Sequence, residues 1–137
     1  MREEVIKGHK AVGGKAEGEA LVSKDAICWL KTLDARGLVV ESENNLYGES
    51  IAGRIFVFPT GKGSTAGSLK LYELAIDGYA PKAIVNTQAD PVTLSGAILS
   101  KIPMVHKFDV DPTEVIETGD KVIVDGDAGM IKIVKLL

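Results

Sequence analysis

The sequence predicts one α/β domain of mixed β/β/α build. Three observations carry that prediction: strand-like runs crowd both ends of the chain, strand and helix signals alternate between Arg54 and Phe108, and no Pro/Ser-rich linker or repeat interrupts them. With 137 residues, 45% of them hydrophobic and 26% charged, the chain has apolar side chains for one core, so a single domain over 1–137 is expected.

The elements follow in order. GEALVS, AICWL and GLVVES in the first third are rich in Val, Ile, Leu and Trp and are separated by Gly, Asp and Asn, so each reads as a short strand. From Ile51 the grammar changes. RIFVF (54–58) reads as a strand, residues 65–77 as a helix, KAIVNT (82–87) as a strand, PVTLSGAILSKI (91–102) as a second helix and PMVHKF as a short strand. That alternation implies a central parallel β-α-β-α-β unit with crossover helices. KVIVDG and MIKIVKLL, on either side of Asp125-Gly126-Asp127-Ala128-Gly129, read as a closing hairpin.

Composition excludes several functions. A formal charge of −3 gives no basic face for nucleic acid, whose phosphates would require one. The single cysteine, Cys28, allows no intramolecular disulfide and no cysteine-held zinc or iron–sulfur centre on this chain; beside Trp29 it reads as a small buried hydrophobe. MREEVIKGHK lacks the apolar core of a signal peptide and no run approaches a membrane span, so a cytoplasmic address and no membrane partner are expected.

The chemistry concentrates in FPTGKGSTAGS (58–68), between the RIFVF strand and the helix that follows. A Walker A loop requires Gly-Lys-Ser/Thr, whereas Lys62 is followed by Gly63; a dinucleotide fingerprint requires Gly-x-Gly-x-x-Gly, whereas Gly61, Gly63 and Gly67 are one residue too widely spaced. What remains is the physics common to both motifs. A strand ends, glycines turn the backbone, and a helix begins whose first amides lack partners, which is a place that attracts an anion. Ser64 or Thr65 stands near the expected N-cap and one hydroxyl could serve only as a cap. The sharper reading makes Ser64 a base, its alkoxide stabilised by free amides and by Lys62, with Lys62 alternatively binding a substrate carboxylate or phosphate.

The loop PTGKGSTAGS after GESIAGRIFVF, then ELAIDGYAPKAIVNTQADPVTLSGAILSKIPMV and TGDKVIVDGDAGMIKI, resemble the small subunit of the aconitase X family. The resemblance spans nearly the whole chain and implies a swivelling β/β/α domain that pairs with a large subunit carrying the cysteines for a [4Fe-4S] cluster. It implies a hydro-lyase active only with that partner, with Ser64 as proton acceptor and Gly61, Lys62, Gly63, Thr65 and Asn86 at the substrate. The implied substrate is a small phosphorylated hydroxy acid, 5-phosphomevalonate, on the route to isoprenoids; dehydration of cis-3-hydroxyproline is the alternative within the family. A non-catalytic anion-binding module is the alternative outside it. Where relatives often carry a His-Pro pair, this chain has Asn44-Asn45-Leu46.

The remaining candidates have bland readings. His9 and His106 are distant in sequence and lack an acidic cluster, so no metal site is expected; a phosphohistidine role for His106 would need a glycine loop that PMVHKF lacks. Asn86 and Thr87 follow a strand on the same side as the loop and either line the cleft or only end the strand. Asp109, Asp111 and Glu114 read as solvated surface.

Overall fold

The computed structural model describes residues 1–135, so Leu136 and Leu137, the end of the MIKIVKLL run, lie outside the described residues. The elements are β1 (Arg2–Lys7), β2 (His9–Val12), β3 (Lys15–Val22), β4 (Ile55–Phe58), α1 (Gly67–Ile76), β5 (Ala83–Asn86), α2 (Pro91–Ser100), β6 (Met104–His106), α3 (Pro112–Val115), β7 (Lys121–Asp125) and β8 (Met130–Lys135). The strands run in the order β1-β8-β7-β3-β4-β5-β6-β2.

Strand β3 joins two layers. Its first half, Lys15 to Glu19, pairs antiparallel with β7, and its second half, Ala20 to Val22, pairs parallel with β4. The parallel strands β3, β4, β5 and β6 form the middle layer, and β2 closes its edge antiparallel to β6. Successive strands β4, β5 and β6 are adjacent, so right-handed crossovers place α1 and α2 on one face, where they pack against each other. The other face receives the antiparallel layer β1-β8-β7.

Period-two alternation assigns each buried side chain to one of two cores. Leu21, Phe56, Phe58, Ile84 and Met104 point to the helices; Ala20, Val22, Ile55, Val57, Ala83, Val85 and Val105 point to the antiparallel layer, against Ile6, Val122, Val124, Ile131 and Ile133. That double burial explains why IFVF and AIVN read as uninterrupted apolar runs.

AICWL and GLVVES are not strands. Residues 23–54 form an irregular excursion over the helical face, with only the isolated bridges Leu33–Val39, Leu38–Ser50 and Ile27–Gly61. Its apolar residues are there because Ile27, Trp29, Leu33, Val39, Leu46 and Ile51 fill the helix-side core. Each such side chain contributes roughly 1.5–3 kcal/mol by leaving water, enough to fix a segment without a ladder. Trp29 lies edge-on to Phe56 and Phe58, with ring centroids 6.2 and 6.0 Å away. Strands β1 and β2 and the short α3 carry weak signals: of β1 only Ile6 is buried, and β2 is a four-residue edge strand with His9 and Lys10 exposed and Ala11 and Val12 half-buried against the core.

Candidate active site

The loop 59–66 leaves the carboxyl end of β4 and enters α1, and its backbone divides into a held half and an open half. The held half is Thr60 to Lys62. Ile27 N–H donates to Thr60 O at 3.0 Å, Lys62 N–H donates to Ile27 O at 2.9 Å, and Gly61 N–H donates to Asp90 Oδ1 at 2.7 Å. Gly61, expected at the substrate, is an anchor in the loop: its amide is engaged and its α-carbon is packed against Asp90 and Thr93.

The open half is Gly63 to Ala66. Gly63 turns the chain with φ +98°, a conformation glycine adopts without strain. Among the described residues, the N–H groups of Gly63, Ser64 and Thr65 have no acceptor. Gly63, Ser64, Thr65 and Ala66 are all exposed, so these amides face solvent. Ser64 Oγ accepts the Ala66 N–H at 3.2 Å, and Ser64 O accepts the Gly67 N–H at 3.0 Å.

Helix α1 begins two residues later than expected, at Gly67, with Ala66 in the N-cap position and no side-chain cap. Helices α2 and α3, by contrast, are capped by the carboxylates of Asp90 and Asp111. No acidic residue occupies the first turn of α1, so its partial positive charge is left uncompensated beside Ser64. An amide donating to Ser64 Oγ favours the alkoxide over the hydroxyl, since hydrogen bonds to the charged form stabilise it. The arrangement has the parts of an activated serine: an exposed oxygen, a donor on it, and free amides around it.

Lys62 is exposed between two open depressions. One, of about 370 Å³, is lined by Asp25, Ala26, Glu41, Glu43, Asn44 and Lys62; the other, of about 330 Å³, by Cys28, Lys31, Glu41, Lys62 and Gly63. Lys31 and Glu41 were not singled out by sequence, because only the excursion's fold carries them to the loop. A depression of about 550 Å³ on the antiparallel layer has no hydroxyl, thiol or imidazole among its lining residues.

Asn86, also expected at the substrate, stands at the end of β5. It is fully buried, with Nδ2 donating to Phe58 O at 3.0 Å and Oδ1 unpartnered among the described residues, so it braces the end of β4 beneath the site and does not line the cleft. Thr87 Oγ1 is 3.4 Å from Asp111 Oδ1, which also accepts the Thr113 N–H at 3.0 Å; Asp111 is a helix cap and not merely solvated surface. Asn45 ties the excursion to β3 through Val22 O, and Asn44 donates to Ser23 Oγ at the excursion's own first residue.

Strand pairing brings His9 and His106 opposite each other, which their separation in sequence hid. His106 Nδ1 accepts the Ala89 N–H at 3.0 Å, so the neutral ring carries its proton on Nε2. Burial lowers the pKa of His106 from its ordinary 6.5, and the charges of Lys107 and His9 lower it further. Among the described residues no group of three His, Cys, Asp or Glu side chains could hold a metal ion. Cys28, the single thiol, is buried against Gly63. This donor set does not fit an iron–sulfur cluster, which takes four ligands, typically thiolates.

Fold and site together define an α/β domain with a serine loop of unpaired amides at the head of its first crossover helix. The chain belongs to the aconitase X family: residues 5–133 match the aconitase X swivel domain. It is 49% identical over 129 residues to the phosphomevalonate dehydratase small subunit of Methanocella arvoryzae, covering 93% of this chain and 98% of the relative. The protein of the same name from Thermococcus kodakarensis is 47% identical over 131 residues, covering 95% of this chain and 96% of the relative. The crystal structure of Thermococcus kodakaraensis aconitase X in its holo form superposes with a TM-score of 0.90 at 46% identity, covering 96% of this chain and 99% of that one. No described helix is long and apolar enough to cross a membrane.

Proposed function

We propose that this chain is the small subunit of a phosphomevalonate dehydratase, converting (R)-5-phosphomevalonate to trans-anhydromevalonate 5-phosphate together with a large subunit. The relatives' names, at 44–49% identity over nearly the whole chain, support the reaction, and the uncapped start of α1 supports the role of this chain in it. Ser64 Oγ, as alkoxide, takes a proton from the carbon beside the substrate carboxylate. The C–H electron pair becomes the new carbon–carbon double bond, and the hydroxyl on the next carbon departs with the C–O pair as hydroxide. That hydroxide becomes water by taking up one proton, equivalent to the one Ser64 removed and must release to regain its alkoxide. The open amides of Gly63, Ser64 and Thr65, with Lys62, hold negative charge on the substrate while this happens.

The [4Fe-4S] cluster that the family implies is assigned to the large subunit, because this chain's donor set cannot hold it; departure of the hydroxyl is left to that subunit. The observation that carries the reading is the exposed Ser64 oxygen at the one described helix start of eight residues or more without a side-chain cap. The test is co-expression with the large subunit, anaerobic reconstitution, and comparison of wild type with Ser64→Ala. The expected loss is about 10²–10⁴ in kcat with the complex intact; turnover at the wild-type rate would remove Ser64 from the chemistry.

A further inference from the structure

Asp90 gives one carboxylate oxygen to each of two segments. Oδ2 accepts the Thr93 N–H at 2.9 Å as the N-cap of α2, and Oδ1 accepts the Gly61 N–H at 2.7 Å from the serine loop. Thr93 is fully buried, and its Oγ1 accepts the indole N–H of Trp29 at 2.9 Å, so cap, loop and excursion meet at one point. On its other side the loop is held by Ile27 through Thr60 and Lys62. Gly61 is thus gripped from both sides, three residues before Ser64. A β-carbon on Gly61 would stand 2.5 Å from both Asp90 Oδ1 and Thr93 Oγ1, so the close approach exists only because Gly61 has none.

A helix N-cap needs a single acceptor, and Ser or Asn supplies one as well as Asp does. The second oxygen of Asp90 is therefore surplus to the cap. Its bond to Gly61 is charge-assisted, roughly twice as strong as a neutral one. Beyond Lys62 the N–H groups of residues 63–65 have no acceptor among the described residues, while Ser64 O and Thr65 O accept the N–H groups of Gly67 and Ser68 at 3.0 and 3.3 Å. The direction faced by Ser64 is therefore set between the start of α1 and the anchor at Gly61. We infer that Asp90 is a positioning residue for Ser64, aligning the loop through the Gly61 amide. The inference rests on the reading of Ser64 as the proton acceptor. A catalytic group displaced by about 1 Å loses on the order of 10² in rate, which sets the scale of the effect.

The test uses the assembled two-subunit enzyme with Asp90→Asn and Asp90→Ser, each keeping one acceptor for the cap and losing the other. The expected result is normal assembly, kcat lower by about 10–100-fold, KM within about threefold, and a kcat–pH profile displaced to higher pH as Ser64 loses its aligned amides. Asp90→Asn placed on Ser64→Ala should cost nothing further in kcat, since both act through one oxygen. A kcat within about twofold of wild type per assembled enzyme would overturn the positioning role. Failure of both variants to assemble, or losses that add independently, would do so too, assigning Asp90 to structure alone. In the same series, Ser64→Ala at full activity would overturn the underlying reading, whereas inactive Ser64→Ala beside active Asp90→Asn would overturn only the inference.

Discussion

Gly63 rests its α-carbon on the thiol of Cys28: a β-carbon at position 63 would lie 2.7 Å from Cys28 Sγ. The lone cysteine is thereby placed as packing beneath the loop, not as a reactant in it. Cys28→Ala should retain kcat within about threefold and destabilise by about 1 kcal/mol, as small core truncations do. Gly63→Ala should behave differently, because the left-handed backbone costs a residue with a β-carbon roughly 1–2 kcal/mol on top of the contact. Adding Cys28→Ala to Gly63→Ala relieves the contact but not the backbone, so only part of the activity should return. Turnover and thermal melting of the three variants check this; inactive Cys28→Ala would return the thiol to the chemistry.

The central unit was legible because its signals are local. RIFVF, KAIVNT and PVTLSGAILSKI each carry their own pattern, and Asp90-Pro91 states where α2 begins. The excursion was misread for a physical reason: AICWL and GLVVES are apolar because Ile27, Trp29 and Val39 fill a core, and short apolar runs do not say whether a ladder or mere burial accounts for them. In the loop, Gly63 and Ser64 could be read as a turn and an exposed hydroxyl. That Gly61 gives its amide to Asp90, or that Asn86 lies beneath the site, depends on contacts 29 residues away or on a strand end covered by the chain before it.

Lys62 stands between the two depressions and forms no ion pair within 4 Å among the described residues, although Glu41 lines both cavities with it. An ammonium free of an internal partner is available to a substrate anion. Lys62→Gln should lower kcat/KM by about tenfold, chiefly through KM, and the gap should narrow as salt rises and screens the exposed charge. The measurement is steady-state kinetics at two ionic strengths beside the affinity for the large subunit. An unchanged KM with weakened assembly would move Lys62 from the substrate to the subunit interface.

Helices α1 and α2 meet where Gly96 has no side chain. A β-carbon there would come within 2.9 Å of Leu71 Cδ2 and 3.2 Å of Ser68 O, the latter on the turn that follows the serine loop. Gly96→Ala gains about 1 kcal/mol of helix propensity but overpacks a close helix contact, which typically costs 1–3 kcal/mol. The Leu71 methyl can give way; Leu71 Cβ, 3.1 Å from that position, and the backbone oxygen of Ser68 cannot without shifting α1. The net expectation is a destabilisation of about 1 kcal/mol and a melting point lower by about 4 °C. A rise in melting temperature would mean that the helices part without cost.

His106 links stability to pH. Burial, and then the charges of Lys107 and His9, hold its pKa below the ordinary 6.5, and the Ala89 N–H donates to Nδ1, a bond that a protonated ring cannot accept. Above pH 6.5 the imidazole is neutral in both folded and unfolded chains, and the full stability is present. As pH falls from 6.5 towards the lower folded value, the unfolded chain binds the proton first and stability is lost; below the folded value this group takes no more. His106→Gln removes the titration. In urea unfolding between about pH 5 and 8, the wild-type midpoint should therefore fall more steeply with acid than that of His106→Gln. Two curves separated by a constant amount across that range would show that the ring at position 106 is protonated equally well folded and unfolded.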